Sequence, residues 1–152
     1  MQCRSGRRRS AMPPASLPFT PELQRQLAAW LSEDLGRGDL TTPALAVATG
    51  RAHWIARAEG VFCGGVLVEP LFRLLDPDMR VRLLVADGEA IAPDQRLLEL
   101  EGTATALVAG ERTSLNLAMR LSGIASATPH TQQARPMAVP LTSRRVVQIS
   151  QV

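Results

Sequence analysis

Lysine and tyrosine are both missing from this 152-residue sequence, and all 17 basic residues are arginine. Without lysine the chain cannot perform Schiff-base chemistry, build a P-loop, or carry a lipoyl or biotinyl group. Aromatic residues make up 3%, too few to provide stacking platforms for nucleic acid. Cysteine occurs only as Cys3 and Cys63, in no metal or redox spacing, and such sparse use fits a reducing cytoplasm. No apolar run reaches the roughly 20 residues of a membrane span, so no membrane partner is expected.

What remains is a globular composition, 45% hydrophobic, at a length that suits one domain with a real core. The net charge of +3 comes from the two ends. Residues 1–20 hold Arg4, Arg7, Arg8 and Arg9, and residues 129–152 hold Arg135, Arg144 and Arg145, with no acid in either stretch. Ten arginines then face all 14 acids in the body, a net of −4. No clustered basic footprint for nucleic acid is left.

Residues 1–20 read as a disordered basic extension, with a basic, acid-poor organelle-type leader as the alternative; they are unpatterned and lack the apolar core of a secretory signal. Order is expected from Thr20-Pro21, an N-cap followed by proline at the first helical position. Leu23, Leu27, Trp30, Leu31 and Leu35 then form one apolar stripe, with Gly36 as a left-handed C-cap. Gly38, Asp39 and two threonines follow as a tight polar turn.

"RAHWIARAEGVFCGG" (51–65) alternates as a strand with Ala52, Trp54, Ala56 and Ala58 on one face and His53 on the other. A helix follows on Leu67, Leu71, Leu74 and Leu75, with Pro70 in its first turn and its end at Asp76-Pro77. Short strands are expected near 80–86, 89–91, 96–101 and 103–108, broken at Asp87-Gly88, Pro93-Asp94 and Gly102. The fold class is therefore α+β, an α/β sandwich with a small antiparallel sheet covered by helices, spanning 21–128.

"GERTSLNLAMRLSGIAS" (110–126) reads as a helix buried on several sides, because its apolar residues span more than half the circumference. The remaining window holds Arg112, Asn116, Arg120 and Gly123, with Thr113 at its border. Read as starting here, the helix has Arg112 in its first turn, where a cation opposes the macrodipole at about 0.3–1 kcal/mol. Two explanations stand side by side. Either Arg112 pairs with Glu111, Glu99 or Glu101, or the helix start and the guanidinium together await a carboxylate or phosphate.

In their order and spacing, "LSEDLGRGDLTT", "ARAEGVFCGG" and "GERTSLNLAMRLSGIAS" resemble the quinolinate phosphoribosyltransferases, the carboxylating nicotinate-nucleotide pyrophosphorylases, over residues 22–128. The resemblance implies an enzyme of de novo NAD biosynthesis. It joins quinolinate to phosphoribosyl pyrophosphate with Mg²⁺ and releases pyrophosphate and carbon dioxide, giving nicotinate mononucleotide. It also implies a homodimer in which the N-terminal sandwich of one subunit caps the α/β barrel of the other. The arginine of "GERTSLN", here Arg112, contacts a quinolinate carboxylate in the partner's site, and Asn116 and Arg120 are candidate supports.

After Thr128 the family continues into a barrel with a "TRKT" strand end, histidine, lysine and acidic metal ligands. This sequence has "PHTQQARPMAVPLTSRRVVQISQV" instead, a non-family tail (129–152) read as frameshifted or disordered. The chain is accordingly expected to hold no catalytic residue and no metal or cofactor, and to be inactive alone in the cytoplasm. The alternatives are a non-catalytic dimerisation or interaction module, the related molybdenum-operon family member, and an unrelated anion-binding domain.

Overall fold

The computed structural model describes residues 20–36, 48–128 and 141–148. The basic extension up to Phe19, the turn containing Gly38 and Asp39, and residues 129–140 lie outside the described residues.

Helix α1 (Pro21–Leu35) begins as its sequence dictates. Thr20 is extended, its hydroxyl accepts the Leu23 N–H at 3.2 Å, and Pro21 opens the helix. Leu27 and Leu31 are buried. Gly36 closes it with a positive φ of 55°, but its ψ of −143° is not that of the expected left-handed cap; its N–H still reaches Ser32 O at 3.2 Å.

Next come β1 (Thr49–Ala56), β2 (Gly60–Val61), a 3₁₀ turn (Gly65–Leu67) and α2 (Val68–Arg73). Pro70 falls in the first turn of α2, where its missing N–H costs nothing. Strands β3 (Arg80–Leu83), β4 (Ala90–Ile91) and β5 (Arg96–Thr103) follow, then the 24-residue helix α3 (Ala104–Ala127) and strand β6 (Leu141–Gln148). The main sheet is antiparallel in the order β3-β5-β1-β6, and β2 pairs with β4 separately.

The helices cover one face of this sheet. Ala52, Trp54 and Ala56 of β1 and Leu98 and Leu100 of β5 form a core with Leu27 and Leu31 of α1, Leu71 and Phe72 of α2, and Leu107 of α3. This is the α+β sandwich that the patterning implies. Among the described residues no helix is long and apolar enough to cross a membrane.

Two expectations are corrected. Residues 103–108 are not a strand: β5 runs straight into α3, with Thr103 as N-cap accepting the Ala106 N–H at 3.4 Å. The alternation of "TATALV" imitates a strand. Its alanines instead let the helix approach β1 closely, and a Cβ on Gly50 would lie 3.0 Å from Leu107 Cδ1. The tail is also not featureless throughout, because residues 141–148 pair with β1 along its whole length.

The entry to α3 is fixed by one buried carboxylate. Asp76 Oδ2 accepts the Thr103 N–H at 2.9 Å and Oδ1 accepts the Asp78 N–H at 3.0 Å. These hydrogen bonds, that of Thr103 foremost, hold the Asp76 carboxyl below its ordinary value, although burial works the other way. Asp76→Ala strands both donors and should cost about 1–3 kcal/mol. A carboxyl whose pKa is lowered by folding contributes fully above its unfolded pKa of about 3.9, and the contribution is lost as pH falls through the folded value. In urea unfolding, the stability gap between wild type and Asp76→Ala should therefore be constant near neutrality and narrow only below about pH 4. A gap that keeps its size at low pH would contradict this role.

Candidate functional site on the outer face of α3

The motif helix divides its residues between two faces. On the inner face small residues dock it. Gly110 lies so close to Phe72 that a Cβ there would come within 2.6 Å of the ring. The buried Thr113 hydroxyl donates to Asp34 Oδ2 of α1, tying "GERTSLN" to "LSEDLG". Ser114 turns inward and donates to Gly110 O at 2.7 Å.

Further along, Ser122 Oγ accepts the Cys63 N–H at 3.0 Å and donates to Cys63 O at 3.1 Å, while Ser126 Oγ accepts the Val61 N–H at 2.9 Å. These two serines, one turn apart, bind the "EGVFCGG" segment to α3. That segment is clamped from its other side. Asp87 accepts the Gly64 N–H at 3.0 Å and the Gly65 N–H at 2.8 Å, and Gly64 has the positive φ (100°) that glycine tolerates. Burial and the neighbouring Asp87 push the Cys63 thiol up, which disfavours its thiolate form.

The outer face holds the expected site residues. Arg112, Asn116 and Arg120 are all exposed and recur every fourth residue, a stripe about 12 Å long. Arg112 lines a groove of about 310 Å³ with Val108, Glu111, Leu115, Asn116 and Met119. Arg120 lines a second groove, of about 190 Å³, against Trp30, Glu33 and Asp34 of α1. Asn116 borders both.

Arg112 is not at a helix start. It lies more than two turns inside α3, beyond the reach of the helix-terminal dipole. The ion-pair explanation fails as well. Glu99 faces Arg82 and Arg96, Glu101 faces Arg51, and among the described residues no ion pair includes Arg112. Nor is the helix buried on several sides: Ile124 is 66% exposed, and Leu115, Leu117 and Met119 are only partly covered. Sequence reasoning missed Asp34, Thr113, Asp87, Ser122 and Ser126, which hold the stripe in place; Asp34, Thr113, Ser122 and Ser126 stand inside the three quoted motifs. Among the described residues no three His, Cys, Asp or Glu side chains gather as a metal site.

Residues 39–122 match the family model described as "Quinolinate phosphoribosyl transferase, N-terminal domain". The chain is 40% identical over 109 residues to a probable nicotinate-nucleotide pyrophosphorylase [carboxylating] of Synechocystis sp., covering 71% of this chain and 37% of the relative. It is 33% identical over 136 residues to the quinolinate phosphoribosyltransferase [decarboxylating] 1 of Nicotiana glauca, covering 88% of this chain and 38% of that relative. Among solved structures, the nicotinate-nucleotide pyrophosphorylase of Francisella tularensis superposes with a TM-score of 0.63 at 29% identity, over 70% of this chain and 37% of that one. The chain thus spans little more than a third of the relatives' length. By its matched motifs and its sandwich, it belongs to the quinolinate phosphoribosyltransferase family, of which it contains the N-terminal domain.

Proposed function

We propose that this chain is the capping domain of a quinolinate phosphoribosyltransferase of de novo NAD biosynthesis, the pentosyltransferase that makes nicotinate mononucleotide from quinolinate and phosphoribosyl pyrophosphate. In this reading Arg112 reaches a carboxylate of quinolinate held in the barrel of a partner subunit, and Asn116 and Arg120 border the same contact. The observation that carries it is the division of α3. Inward-facing motif residues all have structural work, whereas Arg112 stands exposed with no internal ion pair among the described residues. A planar guanidinium pairs with a carboxylate through two parallel hydrogen bonds. The partly covered leucines beside it suit a surface that another domain closes, and closure would strengthen the pairing by excluding water.

Mg²⁺ would neutralise phosphate charge in the complete enzyme. The part assigned here to this chain is carboxylate recognition. The sparse cysteine content supports a cytoplasmic setting. Because the groups that would bind phosphoribosyl pyrophosphate belong to the barrel, the purified chain should form no nicotinate mononucleotide from quinolinate, phosphoribosyl pyrophosphate and Mg²⁺. Measurable product would overturn the assignment of this chain as a cap without its own catalytic centre.

A further inference from the structure

The face of the main sheet that the helices leave bare carries a second group of charges. Its register sets Glu101 of β5 between Arg80 of β3 and Arg51 of β1, and Glu99 between Arg82 of β3 and His53 of β1. With Arg96 at the start of β5, these residues line a shallow cavity of about 520 Å³, within the roughly 300–1,000 Å³ range of small-molecule sites.

The internal pairing there is loose. Arg51–Glu101, Arg82–Glu99 and Arg96–Glu99 are separated by 3.3, 3.5 and 3.8 Å, and every side chain in them is at least 39% exposed. Such pairs are worth about 0–1 kcal/mol each. Arg80 makes no ion pair among the described residues. Four guanidiniums thus share two carboxylates, a surplus of positive charge in a domain body whose net charge is negative.

The lining also limits what can bind. It contains no Phe, Tyr or Trp, and of its three apolar residues Ala52 and Leu100 are buried under the helices. A protein partner would lack the apolar anchor that interfaces use, and nucleic acid would lack a stacking surface. Arg80 and Arg82 project from alternate residues of one strand, about 7 Å apart, and Arg51 stands two strands away, about 10 Å off. That spread suits several guanidinium forks meeting two linked phosphates rather than one.

We propose that this sheet face is a binding site for a small diphosphate anion, separate from the α3 stripe and independent of the function proposed above. The anion draws Arg80, Arg82, Arg51 and Arg96 onto its oxygens, and the loose pairs with Glu99 and Glu101 yield.

Calorimetric titration of the full chain with inorganic pyrophosphate and with ADP, without divalent cations and at constant ionic strength, tests this. Saturable one-site binding of either anion is expected. It should weaken tenfold or more in the Arg80→Gln, Arg82→Gln double variant and stay unchanged in Arg112→Ala. The relative affinities of the two anions tell whether the diphosphate is taken free or attached to a nucleoside. All three residues are exposed, and the melting curve checks that the variants fold; if the double variant does not, Arg51→Gln must show the same weakening. No saturable binding, equal binding of sulfate at the same ionic strength, or a loss that follows Arg112 instead of Arg80 and Arg82 would overturn the proposal. Since Arg112 is intact in the double variant, failure here leaves the capping role untouched.

Discussion

Replacing Phe72 by alanine should destabilise the domain by about 3–5 kcal/mol, the usual cost of emptying a buried phenylalanine site. Phe72 is fully buried and lies where α2 meets the middle of α3. Its ring fills the space left by the missing side chain of Gly110, with Cε1, Cδ1 and Cζ all within 3.0 Å of where a Cβ would be. Because the ring is fully buried, Gly110→Ala alone should cost about 1–3 kcal/mol by overpacking, less the roughly 1 kcal/mol that alanine gains in helix propensity. The two changes are coupled: in a Phe72→Ala background the Gly110 methyl enters the cavity and its cost should vanish or reverse. Urea unfolding of the four-member cycle measures this. A Phe72→Ala loss under about 1 kcal/mol, or strictly additive changes, would show that this contact does not hold α3 in place.

The sequence made most of the architecture legible because period and punctuation agreed. Thr20-Pro21 started α1, and the alternation of Ala52, Trp54 and Ala56 faced β1 inward. Pro70 sat in the one turn of α2 that accepts it. Residues 103–108 were illegible for a physical reason. Alternating threonine and alanine satisfies a period of two, and the helix start is set by contacts that this pattern does not show: the Thr103 hydroxyl on the Ala106 N–H and the Asp76 carboxylate, 27 residues away in sequence, on the Thr103 N–H. Strand β6 was hidden in a similar way. Its order comes from pairing with β1, and no periodic pattern of its own announces it.

The candidate site was legible in its residue and not in its reason. Arg112 attracted notice as a cation at a helix start, yet that start lies at Ala104. What marks Arg112 in three dimensions is that the buried motif residues of α3 are engaged inward, while it stands exposed with no ion pair among the described residues. The buried side of α3 escaped sequence reasoning because the work is done by Thr113, Ser122 and Ser126. Their hydroxyls look like surface residues in a hydrophobicity pattern and reveal themselves only through the groups they bond, the Asp34 carboxylate for Thr113 and the backbone of Cys63 and Val61 for the serines. The charged sheet face left a fainter signal, arginine and glutamate recurring every second residue in "RVRL" and "ELE".

Arg112→Ala should lower kcat/KM for quinolinate by roughly 10–150-fold in an enzyme that contains this domain, since losing a hydrogen bond to a charged group costs about 1.5–3 kcal/mol. Arg112→Lys should recover only part of the loss, because an ammonium keeps the charge but not the planar two-pronged contact. Stability should hardly change, as the exposed Arg112 makes no ion pair among the described residues, so lost activity cannot be ascribed to unfolding. The most direct measurement replaces the matching segment of the Synechocystis relative with residues 20–128 of this chain and compares kcat/KM for quinolinate with and without Arg112→Ala. An active chimera whose kcat/KM falls tenfold or more, at unchanged melting temperature, is the result expected if α3 presents half of a substrate site. An active chimera indifferent to Arg112→Ala would contradict it.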